Sequence, residues 1–189
     1  MPGGMLQGFL DLRVFLRFDG QFFFMKGVDP ERIVGILSGI WSAKAVSVAC
    51  DIGVFTALSE GAKDIEELAR ELNVNQSGLK MLLNVCVSLG LLKKTGDRYE
   101  NTEESETFLV IGKETYLGDF ITLIGEDYYE LCRGLKDGII TGRPVRNAWD
   151  FRLVDMNYAR RFTKAMIGVS SGAAEVLLQN IDLSGISSI

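Results

Sequence analysis

From residue 30 onward, apolar positions recur at helical spacing, and the repeats break at glycines and short polar turns. The first repeat predicts a helix from Ile33 to Cys50. Gly35, Gly39, Ala43 and Ser47 fall four residues apart on one of its faces, a spacing that lets a second helix approach closely. Asp64-Ile-Glu-Glu67 has the form of a capping box, and Ile65, Leu68, Ala69 and Leu72 form the apolar stripe of a short helix behind it. Asn73-Val-Asn75 reads as a turn. A third helix follows with Leu79, Leu82, Leu83 and Cys86 facing inward, and Gly90 ends it. Leu91 to Lys94, the polar turn Thr95-Gly96-Asp97-Arg98 and a return strand from Tyr99 complete a β-hairpin.

Helix, short helix, turn, longer helix and hairpin is the order of a winged helix-turn-helix, so the expected fold class is mainly α with a small β-hairpin wing. A loop is expected from Thr102 to Lys113. Amphipathic helices are expected near 116–124, 126–140 and 153–179, with Gly142-Arg-Pro144 breaking the region. Residues 1–28 differ in kind. They hold six of the eleven phenylalanines, and Leu12, Val14, Leu16 and Phe18 alternate with charged residues ahead of Asp19-Gly20, a hairpin pattern. That aromatic surface calls for cover by the domain or by a second subunit, unless synthesis naturally starts at Met25.

Composition narrows the chemistry. The chain has 189 residues, 47% of them hydrophobic, with 20 Lys+Arg against 25 Asp+Glu, and it contains no histidine. Ser-His-Asp triads, Cys-His dyads and His-containing metal sites are therefore excluded. Cys50, Cys86 and Cys132 are odd in number and widely spaced, each in an apolar helical stretch; they read as buried, reduced thiols in a cytoplasmic protein. Ile33 to Cys50 is the best membrane candidate, but Lys44 and three serines interrupt it, so it reads as a buried helix.

A winged helix suggests DNA binding, and the charge opposes that reading. Between Asp64 and Gly90 four acids (Asp64, Glu66, Glu67, Glu71) face Arg70 and Lys80 alone. Lys80, Asn84 and Ser88 are the main exposed polar groups expected on the helix that would enter the groove, and the wing adds Lys93, Lys94 and Arg98. No nucleic acid and no membrane are expected as partners. A transcriptional regulator remains the competing class.

Several runs taken together resemble a known family. Ser38-Gly-Ile-Trp-Ser-Ala-Lys44, Ala49-Cys-Asp-Ile-Gly-Val-Phe55, Ile65-Glu-Glu-Leu-Ala69, Leu82-Leu83, Leu89-Gly-Leu-Leu92 and Tyr99-Glu-Asn-Thr102 are similar, in this order, to the dimerisation domain of S-adenosylmethionine-dependent O-methyltransferases. Gly142-Arg-Pro144 and Arg161 to Met166 extend the likeness, which covers about residues 30–189. The group includes plant caffeate-type, acetylserotonin-type and bacterial small-molecule enzymes. The resemblance implies that the winged helix serves subunit pairing in a homodimer, and that the full enzyme methylates a small-molecule hydroxyl. It implies an N-terminal extension at 1–28, a winged-helix dimerisation domain at 29–112, a helical dimerisation and linker region at 113–180, and the opening of the methyltransferase domain at 181–189. No Gly-x-Gly-x-Gly occurs in the chain, so this chain alone is expected to be inactive and to hold no S-adenosylmethionine, the cofactor of the parent family.

The resemblance also implies site residues. Phe162, Met166 and Ser170 lie four apart on one helix face; the first two would line the substrate pocket and Ser170 would meet the cofactor carboxylate. Read without the resemblance, an apolar pair at that spacing is core packing. Trp41 is the third pocket candidate, and it could equally fill the dimer interface while Lys44 extends to solvent. Tyr128, Tyr129 and Trp149 are further aromatic candidates with core or interface alternatives. Adjacent carboxylates at Glu66/Glu67, Glu103/Glu104 and Glu126/Asp127 are expected to diverge as solvated charges or helix caps. A stand-alone scaffold recruiting a separate methyltransferase subunit is a further alternative.

Overall fold

The computed structural model describes residues 31–144 and 156–181. The Phe-rich hairpin expected before residue 28, Trp149 and the strand opening after 181 lie outside them. The chain divides into two compact units, Met1–Ala43 and Lys44–Ile189.

In the first unit the described residues form the N-terminal part of helix α1 (Glu31–Asp51). Here the expectation of a buried helix is corrected. Ile33, Ile36, Leu37 and Ile40 are all more than half exposed, with Ile36 at 70%. Their spacing of i, i+3, i+4, i+7 gathers them into one apolar stripe. The open face of the glycine spacing is present too: a side chain at Gly35 or Gly39 would meet nothing within 4 Å. By length and composition alone, Arg32–Asp51 is apolar enough to cross a membrane.

The second unit begins where α1 becomes buried, at Ser47, Ala49 and Cys50. Gly53, in the left-handed conformation (φ 82°), turns the chain into α2 (Val54–Leu58), whose Val54 and Phe55 are fully buried. The helix–helix–hairpin order expected from the sequence follows as α3 (Ile65–Glu71), α4 (Gln76–Ser88), β2 (Leu92–Thr95) and β3 (Arg98–Asn101). The capping box is complete: Asp64 accepts from the backbone N–H of Glu66 and Glu67, and the Glu67 carboxylate accepts from the N–H of Asp64. Asn75 caps α4, and Leu79, Leu83 and Cys86 are buried beneath it. Leu68, Leu83, Phe55 and Tyr99 meet in a single apolar core.

Two elements were not legible. A two-residue strand, β1 (Lys63–Asp64), pairs antiparallel with β3 and makes a three-stranded sheet of order β1-β3-β2. The stretch expected as a loop after Thr102 contains α5 (Glu103–Phe108). Thr102 caps it by accepting from the Ser105 N–H, and the Ser105 hydroxyl donates to the Leu91 carbonyl. Only Ser105 of α5 is buried, so there was no apolar stripe to read.

The hydrogen bonds from the Glu67 and then the Glu66 N–H hold the Asp64 carboxyl below its usual range, with Arg98 adding to the effect. A depressed folded pKa adds stability that is complete above the unfolded value and is lost as pH falls through the folded one. Asp64→Asn keeps a capping oxygen but cannot ionise. Its melting temperature should therefore fall less steeply than the wild type's between about pH 5 and about pH 2 when followed by circular dichroism.

Burial pushes the thiols of Cys50 and Cys86 up to about 12, and both side chains are enclosed. Cys132 corrects the expectation of three buried thiols, since it is exposed. It lies on α7 (Tyr129–Arg133), a helix with too few buried neighbours to cover it. Cys50 and Cys86 should stay closed to a thiol reagent at pH 8 until denaturant is added, while Cys132 reacts at once; timed absorbance with an aromatic disulfide reads the difference.

Candidate functional site

The second unit carries a separate small core where α6 (Gly118–Leu123) packs along the long helix α9 (Met156–Asn180). Leu123, Tyr158 and Ala165 are buried there, and Phe120, Phe162 and Met166 pack against them half-buried. The Tyr158 and Phe162 rings stack at a centroid distance of 6.2 Å. Phe162 and Met166 are thus brought together as the sequence suggested, each partly open. Ser170, one turn further along, is exposed. Trp41 stands in the first unit, 42% exposed.

Between α6 and α7 the chain runs as a π-helical turn, Ile124–Tyr128, a form concentrated at functional positions. It corrects two expectations. Glu126 and Asp127, expected to diverge, both grip Arg161: Glu126 Oε2 lies 3.0 Å from Nη1 and Asp127 Oδ2 lies 2.5 Å from Nη2. The widened turn lets consecutive carboxylates reach one planar guanidinium. The hydrogen bond to Asp127, foremost, raises the Arg161 pKa. Lys44, expected to extend to solvent, instead donates from Nζ to the Gly125 carbonyl at 3.0 Å. Gly125 also permits close approach, because a Cβ there would collide with the Ser47 side chain. A glycine inside an apolar helical stretch was the available signal for this contact.

A second close approach lies on α9. A Cβ at Gly168 would run into the backbone carbonyl of Tyr116, and one at Gly118 into the Tyr116 ring. Burial, with Asp119 adding, pushes the Tyr116 phenol up to about 12, so it stays protonated. Beyond α7 come α8 (Leu135–Thr141) and Gly142 in the left-handed conformation at its end. Ile139 and Ile140 on α8 are exposed, as are Tyr128 and Tyr129.

Three of the groups that a nucleic acid would need are already engaged, while Lys80 and Lys93 are exposed. Asn84, expected to be exposed, is half-buried with its amide oxygen facing the Tyr99 hydroxyl at 3.4 Å. Arg98 is bonded to the Ala62 carbonyl and lies 3.3 Å from the Glu67 carboxylate. Lys94 sits over the Tyr99 ring, 5.1 Å from its centroid.

The profile described as "O-methyltransferase dimerisation domain" matches residues 34–111, which hold the sheet, α2 to α5 and most of α1. Those residues form an O-methyltransferase dimerisation domain. The chain that carries this dimerisation domain is 26% identical over 163 residues to 3-hydroxy-5-methyl-1-naphthoate 3-O-methyltransferase of Streptomyces sahachiroi, covering 85% of this chain and 47% of the relative. It is 30% identical over 153 residues to the N,N-dimethyltransferase OxyT of Streptomyces rimosus, covering 77% and 44%. The crystal structure of human N-acetylserotonin methyltransferase in complex with SAM superposes with a TM-score of 0.71 at 25% identity, covering 85% of this chain and 52% of that one. The chain therefore spans about half the length of the relatives it matches. Its mainly helical architecture with a small antiparallel sheet is that of this family.

A methionine-derived nucleotide cofactor needs a slot for its adenine and an acceptor for its ribose hydroxyls. On α9 the Ser170 hydroxyl is exposed, and by itself it supplies neither of these.

Proposed function

We propose that this chain is the pairing half of a cytoplasmic S-adenosylmethionine-dependent methyltransferase that works as a homodimer on a small molecule. The observation that carries the reading is the exposed stripe Ile33, Ile36, Leu37 and Ile40, in a chain whose residues 34–111 belong to a dimerisation family. Four large apolar side chains in one patch are costly in water and inexpensive against a copy of themselves. A second copy is therefore favoured over a lipid bilayer as the cover for α1. The engaged state of Asn84, Lys94 and Arg98 supports pairing over DNA as the use of the helix–hairpin unit.

S-adenosylmethionine supplies an electrophilic methyl group when it is bound, and relatives that carry the methyl to oxygen and to nitrogen both match this chain. We assign the half-open face of Phe162 and Met166 to an apolar part of the acceptor, with Ser170 near the cofactor carboxylate. An aromatic ring and a thioether suit a flat, weakly polar acceptor. Their contribution is orientation, which accounts for much of the rate in a methyl transfer. The domain limits of 29–112 and 113–180 belong to the same proposal.

Sedimentation equilibrium of the whole chain tests the pairing. At micromolar concentration it should give twice the 20.9 kDa chain mass. A monomer under those conditions overturns the reading.

A further inference from the structure

Apolar packing and the close approach of Gly168 to the Tyr116 carbonyl seat α9 against α6. A directional polar contact beside Phe162 adds a fixed angle to that seating. The residue directly before Phe162 is Arg161, whose guanidinium is forked between Glu126 and Asp127. Forked charge-assisted hydrogen bonds are directional, and the planar donor fixes an angle as well as a distance. The carboxylates that hold it sit on a π turn that is itself anchored. Lys44 takes the Gly125 carbonyl, and the Ser47 side chain, one turn along the same helix, lies against Gly125.

We propose that Arg161 is a positioning residue for methyl transfer: clamped by Glu126 and Asp127 on the π turn, it sets the rotation of α9 and so aims Phe162 and Met166 at the acceptor. The proposal rests on the reading of those two side chains as pocket walls. A residue that only added stability would need its charge and no particular shape. A residue that sets an angle needs the fork.

The test uses the full chain with its methionine methyl groups labelled with carbon-13. Met166 reports from the small core, and Met81 on α4 serves as the internal reference; each is assigned by its Leu variant. Arg161→Gln should move the Met166 methyl resonance and leave that of Met81 in place. Arg161→Lys should restore the melting temperature but not the Met166 resonance, because an ammonium is a point charge that cannot reproduce the planar fork. If Arg161→Gln does not fold, the pair Glu126→Gln with Asp127→Asn dismantles the same clamp from the other side and should move Met166 equally. An unmoved Met166 in a folded variant, or its full return with Lys, overturns the proposal. The pocket reading fails separately: 2-naphthol added to the wild type should shift Met166, and no response counts against the pocket while leaving the hold of Arg161 on α9 intact.

Discussion

Replacing Ile36, Leu37 and Ile40 together with Gln is expected to turn the proposed dimer into a monomer at micromolar concentration. All three side chains are more than half exposed on the chain itself, so they contribute little to its own fold. Gln is a good helix former, so α1 should keep its helicity. Across a self-complementary interface each substitution counts twice. Burial of one such side chain is worth about 1.5–3 kcal/mol. Discounted for incomplete burial, six of them still amount to several kcal/mol, and a loss of about 4 kcal/mol weakens association about a thousandfold. Sedimentation equilibrium should show the monomer mass while far-ultraviolet circular dichroism stays unchanged. A variant that remains dimeric would place the interface elsewhere and remove the main support for the proposed pairing.

Two glycines on α9 should respond to alanine with opposite signs. A Cβ at Gly168 meets the Tyr116 carbonyl, a backbone atom that cannot swing aside as a side-chain tip would. Overpacking of this kind costs about 1–3 kcal/mol. At Gly172, on the same helix, a Cβ meets nothing within 4 Å. There only the helical preference of alanine over glycine acts, worth up to about 1 kcal/mol in favour of the variant. That same preference partly offsets the clash at Gly168, so the clash must win for the sign to reverse. Urea unfolding of the two variants decides it: Gly168→Ala should lose stability and Gly172→Ala should gain it. Equal behaviour would mean that α9 does not seat against the 116–118 segment as described.

What could be read in the sequence followed from how local each signal is. The Asp64 capping box and the stripe of Leu79, Leu82, Leu83 and Cys86 are set by residues within one or two turns; the box is complete, and all four side chains join the core, Leu82 only partly buried. Strand β1 escaped notice because two residues carry no alternation; only its partners, Arg98 and Tyr99, more than thirty positions away, make it a strand. Helix α5 escaped because its acidic sequence buries one serine and no apolar face. The pair Phe162 and Met166 was visible from spacing, whereas the clamp beside it was not. Adjacent carboxylates diverge on an ordinary helix, and nothing in the run Ile124 to Tyr128 announces a π turn. The reach of Lys44 to Gly125 spans 81 positions and was equally hidden. Burial of α1 was misjudged for a different reason. Apolar periodicity says that a face must be covered, and it is silent on whether the cover belongs to the same chain.

The meeting of Ser47 with Gly125 has a consequence for how this protein can drift. Position 125 already carries the smallest residue there is, so it can offer no further room. Any bulkier replacement at 47 would have to prise two backbones apart, while a trim to alanine would be absorbed. Descendants of this chain can shrink at that contact but not grow, and the first step taken at position 125 would have to follow, never precede, the loss of the Cβ at position 47, which would itself collide with a Cβ at 125.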